Sequence, residues 1–411
     1  MAVVRGGALV RVASSGNKRA RITSQMEDKA DRLSELPEHL IDHILLLLSI
    51  KDAVKTSMLS RKWRYRWTTL PELVFDDLRT PTSSDAQSSN SVLGKIISDV
   101  LLIHTGPLRK FVISHKKFHA DSDISRWCYY LSRVSLKELV LNFSVSPWCK
   151  IPSSLFSCQE LVCLNLCSCS INLPTTFGGF KHLKRMELSS CLVSQDGLER
   201  LILSCPLLEN MMLKNVDRQI SPLHISAPKL RHLGLYGTVN LKDVSFGANH
   251  LTSGVISFSV DINEDGVAHV NQSYSSFINF FSQLPLIARL SVGRYLLKPR
   301  QSSRQGNADA GYGFWERHRS PCPSLQLRVA AIFGILGTRL ELGLIRFVLE
   351  NSPFLKKIFT AGPSPAPSTS QLLKDLLQIE RASPCAQVVH LDAKDTIGDK
   401  LGQTFLSLHN D

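Results

Sequence analysis

A six-residue pattern, Leu-x-x-Leu-x-Leu with methionine twice in place of its second leucine, occurs five times between residues 136 and 235. The copies are Leu136/Leu139/Leu141, Leu161/Leu164/Leu166, Leu183/Met186/Leu188, Leu208/Met211/Leu213 and Leu230/Leu233/Leu235, and they begin 25, 22, 25 and 22 residues apart. A unit of that length holds one strand and a return segment. It cannot bury its own leucines, so neighbouring units must stack and bury them for one another. The pattern therefore predicts an α/β solenoid with one strand per repeat and the parallel strands along its concave side. Alternation along each strand turns the residues between the leucines outward. Among those residues, Arg185, Glu187, Met212, Lys214, His232 and Tyr236, a mixed polar, basic and aromatic set, are the candidates for contact with a protein partner.

The repeat length falls inside the window of about 20 to 29 residues typical of leucine-rich repeats. It also accounts for cysteine usage. Cys169 and Cys191 stand eight residues after the first leucine of their repeats, where that consensus places Asn or Cys, and Cys158 and Cys205 each stand three residues before a repeat begins. The ten cysteines of the chain are accordingly expected as reduced, mostly buried thiols rather than a disulfide framework. Cys163, Cys167 and Cys169 lack the second pair or the histidines that a zinc site needs. No metal or cofactor is expected.

The chain has 411 residues, 43% of them hydrophobic, enough for two or three domains with sizeable cores. No apolar run approaches the roughly 20 residues that span a bilayer, and the start of the sequence has no secretory apolar region, so no membrane partner is expected. The sequence has no Gly-x-Ser-x-Gly, His-Glu-x-x-His, Walker loop or dinucleotide fingerprint, which argues against an enzyme. Net charge is +13, but the basic residues are scattered rather than gathered in one stripe, so nucleic acid is the minority reading. Residues 1–30 read as a disordered basic arm. Within it, Lys18-Arg19-Ala20-Arg21 fits a short nuclear-import signal, and the acid-free, Arg-rich start also fits a transit peptide.

Ahead of the repeats, Leu36, Leu40, Ile44 and Leu47/Leu48 recur at helical spacing, widened by Ile41 and Leu45, and predict a helix over about 37–48 with Pro37 in its first turn. A second short helix follows, carrying Ala53, Val54, Ser57 and Met58. A third, capped by Ser60, would present Trp63 and Trp67. So small a unit cannot bury all this apolar surface internally and needs a partner. Leu36-Pro37, Leu40, Ile44, Lys51-Asp52-Ala53-Val54, Ser57, Leu59-Ser60-Arg61-Lys62-Trp63 and Trp67 resemble an F-box. That resemblance implies a three-helix hook docking on a Skp-type adaptor of a cullin-RING ubiquitin ligase. The face that would meet the adaptor is Leu36, Pro37, Leu40, Ile41, Ile44, Val54, Leu59 and Trp63.

Between the F-box and the repeats the sequence predicts a connecting strand at 71–77, a Ser-rich loop at 80–91, a helix over 92–103, a strand at 111–113 and a helix over 124–131. Beyond residue 251 the repeats become degenerate, and 298–324, rich in Arg, Gly, Ser and Pro, departs from the pattern and leaves the continuity of the solenoid open. Leu340 to Ile358 and Leu372 to Ala386 are similar to the FBD module of plant proteins that combine an F-box with leucine-rich repeats, and would cap the solenoid. The resulting division is an arm at 1–30, an F-box at 31–78, a solenoid at 92–297, an irregular linker at 298–324 and an FBD-like module at 325–395. The resemblance implies a non-catalytic substrate receptor of an SCF-type ligase in the nucleus and/or cytoplasm, with a target protein the sequence does not identify. The alternative is a leucine-rich-repeat scaffold or nucleic-acid-binding protein using its basic surface.

Overall fold

The structure is a computed structural model that describes residues 35–76, 86–115, 118, 123–143, 148–216, 222–237, 244–247, 251–258, 279–284, 286–292, 324–333, 339–361, 376 and 378–391. The basic arm and nearly all of the 298–324 segment lie outside the described residues.

One 12-stranded parallel sheet runs the length of the described chain. Its strands are β1 (Glu72–Asp76), β2 (Lys110–Ser114), β3 (Glu138–Asn142), β5 (Cys163–Cys167), β7 (Arg185–Ser189), β9 (Asn210–Lys214), β11 (His232–Gly237), β13 (Ser253–Phe258), β14 (Arg289–Val292), β15 (Val329–Phe333), β16 (Lys357–Ala361) and β17 (Gln387–Leu391). Each of the five repeat strands begins two residues after its first leucine, and all fifteen repeat positions are at most 2% exposed. The leucines form a continuous interior because parallel, in-register neighbours superpose equivalent positions: Leu139 on Leu164, Leu164 on Met186, Met186 on Met211, Met211 on Leu233.

A single hydrogen-bond device repeats where the strands begin. The carbonyl just before one strand accepts the N–H groups of two consecutive residues entering the next, as Lys137 O does from Val162 and Cys163, and Val162 O from Lys184 and Arg185. The same device appears at Pro71 with Arg109 and Lys110, so the sheet begins in the connecting strand next to the F-box, well before the first recognisable repeat. It also appears at Ala288 O, which accepts from Arg328 and Val329, and β14 pairs in parallel with β15. The sheet is therefore continuous across the 298–324 departure. The sequence shows no leucine pattern in β15 (Val-Ala-Ala-Ile-Phe) or β17 because Ala330, Ile332 and Val388 fill the interior positions there.

A second regularity lies where the strands end. Ser168, Ser190 and Asn215 follow β5, β7 and β9 directly and have positive φ (58°, 50° and 47°), a left-handed turn that Asn tolerates best. Each donates its N–H to the next repeat, to Ser189, Lys214 and Tyr236 respectively. The turn directs the following residue, Cys169, Cys191 or Val216, into the core. The chain then forms short side ladders, β4 (Cys149–Lys150), β6 (Cys169–Ile171) and β8 (Leu192–Val193) in one, and β10 (Leu223–Ile225) and β12 (Val244–Phe246) in the other. Return segments include helices α3 (Ala86–Ile103), α4 (Ile124–Leu131), α5 (Gln195–Leu203) and α6 (Arg339–Asn351). Helix α3 takes in 86–91, the second half of the expected Ser-rich loop.

The nine described cysteines are free, and Cys128, Cys149, Cys158, Cys169, Cys191 and Cys205 are buried. Burial pushes the Cys158 thiol up to about 12 and the Cys205 thiol up to about 11, so neither forms a thiolate near neutrality. Alkylation of the native protein at pH 8 followed by peptide mapping is expected to modify exposed Cys385 within minutes and to leave Cys158 and Cys205 unmodified. Labelling of the latter two at the rate of Cys385 would contradict their burial.

Helices α1 (Glu38–Leu47) and α2 (Ile50–Lys55) open the described chain. Pro37 stands one residue ahead of α1, its carbonyl accepting from Leu40 and Ile41. Ser49 caps α2 by accepting the Asp52 N–H at 3.1 Å, and its hydroxyl donates to the Asp52 carboxylate at 2.8 Å. The Lys55 ammonium, and after it the Ser49 hydroxyl, hold Asp52 below the usual carboxylate range. The contribution of this cap is thus present above the unfolded carboxylate's pKa and is lost as pH falls through the lower folded value.

The expected third helix is replaced by turns over 61–65 and a 3-10 turn at Arg66–Thr69. Tyr65 has φ 63°, which breaks a right-handed helix, and the Ser60 hydroxyl makes no capping bond. Both tryptophans are nonetheless buried, as are Ile41, Leu45, Ile50 and Ala53, in a core continuous with that of the sheet. Arg66 ties this segment to α1 through Glu38 (3.2 Å) and Asp42 (3.1 Å), and Lys62 donates to the Leu36 carbonyl.

The joint between this unit and the sheet is backbone on backbone. Helix α2 packs against β1, and the N–H groups of Thr105 and Gly106 donate to Thr68 O. Buried His104 bonds Leu70 O at 2.8 Å and the Tyr130 hydroxyl at 3.2 Å. A Cβ on Gly106 would lie 2.6 Å from the Thr69 backbone, where neither side can yield. Gly106→Ala is expected to destabilise the protein by about 1–3 kcal/mol through this overpacking, read as a lower thermal midpoint. An unchanged midpoint would mean the joint is loose.

Candidate docking surfaces

Two surfaces collect the residues that the sequence singles out. The first is on the N-terminal helical unit. Of its eight candidates, Pro37, Leu40, Val54 and Leu59 are exposed and Leu36 and Ile44 are half-buried against the core. Ile41 (0% exposed) and Trp63 (2%) lie inside and cannot meet a partner. Their place in the sequence motif reflects a need for support: they fill the interior on which the contacting side chains stand.

The structure adds Leu47, 72% exposed, and Met58, 88% exposed. The Leu36/Leu40/Ile44 spacing continues to Leu47 or Leu48, and the structure exposes Leu47 while Leu48 packs against the core. Met58 sits in the 3-10 turn Thr56–Met58, where helical periodicity gives no guidance. Seven large side chains of this unit are exposed, Leu40, Leu46, Leu47, Val54, Met58, Leu59 and Tyr65, on about 35 residues whose interior is already filled, and they offer apolar surface suited to a partner.

The second surface is the outward face of the sheet. There β5, β7, β9 and β11 frame a pocket of about 220 Å³ whose lining includes Arg185, Glu187, Met212 and His232, together with Asn165, Asn210 and Gly234. The depression exists because Gly234 has no side chain between Met212 and Tyr236; a Cβ there would come within 3.2 Å of both. Lys214 and Tyr236 do not line the pocket. They lie at the far ends of β9 and β11, with the Lys214 ammonium 5.5 Å from the Tyr236 ring centre and 3.0 Å from the Glu187 carboxylate. Glu187 also accepts from the Asn165 amide at 3.1 Å. Cys163, beside Arg185, has its thiol raised by burial, and the hydrogen bond with Arg185 opposes that rise.

Four of the six candidates thus converge on one cavity. The contribution of Asn165 and Gly234 was missed because neither the leucine pattern nor charge draws attention to them. Only their register with Glu187 and Met212 does. Among the described residues no His, Cys, Asp or Glu cluster could hold a metal ion, and no helix is long and apolar enough to cross a membrane.

Comparison with known proteins gives these surfaces a family context. The F-box domain profile matches residues 33–75, and the profile described as FBD-associated F-box protein At5g56370, LRR repeats, matches 124–255. The Arabidopsis thaliana F-box/FBD/LRR-repeat protein At1g13570 is 32% identical over 89% of this chain and 100% of its own length. F-box/LRR-repeat protein 13 of the same plant is 32% identical over 48% of this chain and 44% of its own. FBD-associated F-box protein At3g52670, also from that plant, is 29% identical over 52% and 51%. A full-length match, an F-box profile over the helical unit and a repeat profile over the sheet agree in order and position: the chain belongs to the plant F-box/FBD/leucine-rich-repeat family.

Proposed function

We propose that this chain is the substrate-recognition subunit of an SCF-type cullin-RING ubiquitin ligase. The F-box docks on a Skp-type adaptor and the repeat face holds a target protein. The observation that carries this reading is the exposed apolar set on the helical unit, fixed by a backbone joint to a sheet that offers a separate pocket, mainly apolar with Arg185, Glu187, Asn165 and His232 in its lining. The mechanism is proximity. Holding the target beside the ubiquitin-loaded enzyme raises the local concentration of its lysines, and no residue of this chain needs to perform chemistry.

The target face is read as concave, because adjacent strands are about 4.8 Å apart whereas packed helices on the return side need about 8–10 Å. The FBD-like region, α6 with β15 to β17, is read as extending the same sheet and closing its end. The working place of such a receptor is the nucleus and/or cytoplasm.

Against a nucleic-acid scaffold stands the use of the basic residues near the F-box. Lys62 and Arg66 are engaged by a backbone carbonyl and two carboxylates of α1. The test is affinity capture from plant cells of the wild type and of Leu40→Asp/Leu59→Asp. Adaptor and cullin should accompany the wild type only, and a target should accumulate on the variant. Equal recovery of the adaptor with both, or with neither, would refute the proposal.

A further inference from the structure

Positive charge is concentrated at one edge of the sheet, where the strands begin. Arg109, Arg185, Arg231, Arg328, Lys356 and Lys357 each stand at the first strand position or the one before it, and all are exposed. The in-register pairing places them along a single edge. Among the described residues none of the six has a carboxylate in ion-pair range, whereas Lys110, Lys137 and Lys184 on the same edge are matched by Glu138, Glu160 and Glu209. At the opposite ends of the strands, Ser114, Asn142, Cys167 and Ser189 carry no charge, Asp76 is acidic and Lys214 is matched by Glu187.

The pocket opens beside this edge with Arg185 in its wall. Glu187, the carboxylate in the lining, is already neutralised by Lys214 and bonded by Asn165. The guanidinium of Arg185 is therefore a charged fork whose described side-chain contact is the Cys163 thiol.

We propose that an acidic, extended segment of a protein partner lies along the strand-entry edge and seats one Asp or Glu carboxylate in the pocket against Arg185. The proposal rests on the receptor reading only in taking the ligand to be a protein. A planar carboxylate suits the guanidinium fork in a bidentate pair. Nucleic acid would require a continuous cationic track, and the matched lysines interrupt this one.

The experiment uses the full chain and a dye-labelled decapeptide of alternating Gly and Glu, with Gln and phosphoserine counterparts and a ten-nucleotide single-stranded DNA. Wild type is expected to bind the Glu peptide at least tenfold more tightly than the Gln peptide, with affinity falling as salt rises. Arg185→Gln should lose at least tenfold. Lys95→Gln, which removes the same charge from an exposed position on α3, should stay within twofold.

Unchanged thermal midpoints for both variants ensure that the loss is not unfolding. The proposal is overturned if Arg185→Gln binds like wild type, if both variants lose equally, if the Glu peptide does not bind, or if the phosphoserine peptide or DNA binds more than tenfold more tightly than the Glu peptide. Adaptor capture measured on the same samples separates the two ideas. Adaptor loss with intact peptide binding counts against the receptor reading alone, and the reverse against the acidic segment alone.

Discussion

Trp63→Ala is expected to cost about 3–5 kcal/mol and to unfold the N-terminal helical unit while leaving most of the sheet in place. The indole is 2% exposed, and Ile41, Leu45, Ile50, Ala53 and Trp67 are the other buried apolar residues of the helical unit, at the end of a core continuous with the sheet. A unit of this size has little further interior to compensate for the cavity, and the expected loss is comparable to the whole stability of many small domains. Damage at one end of a stacked array also stays near that end, because each repeat touches mainly its neighbours. Native-state hydrogen exchange should therefore show lost protection over residues 38–55, with β5 to β11 still protected. Global loss of protection would show that the F-box is integral to the solenoid core, and no loss would show that Trp63 is not a core residue.

The second large effect concerns binding rather than folding. Met58→Asp/Leu59→Asp is expected to abolish adaptor association, by at least a hundredfold, with a thermal midpoint within a degree or two of wild type. Both side chains are exposed, 88% and 55%, so an aspartate at either position costs the free protein little. Burying an apolar side chain of this size at an interface contributes about 1.5–3 kcal/mol, and burying an unpaired carboxylate in its place costs several more. Two such changes exceed the roughly 2.7 kcal/mol that a hundredfold weakening represents. Paired with Trp63→Ala, this variant separates the side chains that touch the partner from those that support them.

That separation marks the limit of what the sequence discloses. The repeats were legible because burial imposes leucine at fixed positions, and spacing alone placed β3, β5, β7, β9 and β11. β15 and β17 were not, since alanine and valine fill their interior positions and only their hydrogen bonding to β14 and β16 identifies them as further members of the sheet. The helical unit was legible as a motif, but a motif mixes contact with support. Nothing in its residue types distinguishes Ile41 and Trp63, which are buried, from Leu40 and Leu59, which are not. The third helix failed because a left-handed Tyr65 leaves no mark on hydrophobic spacing. On the sheet face, alternation alone turned Arg185, Glu187, Met212 and His232 outward. Their convergence on one pocket depends on Gly234, a residue notable for the side chain it lacks.

The central claim is that the exposed apolar face of the F-box is an adaptor-docking surface. The most direct measurement is a calorimetric titration of the purified, folded full-length chain with a plant Skp-type adaptor. The account predicts a saturable one-to-one complex with a negative heat-capacity change from apolar burial, abolished in Met58→Asp/Leu59→Asp. No detectable complex at about 10 μM of each protein, where a Kd of about 1 μM would leave most of the chain bound, would contradict it, as would equal binding by the variant.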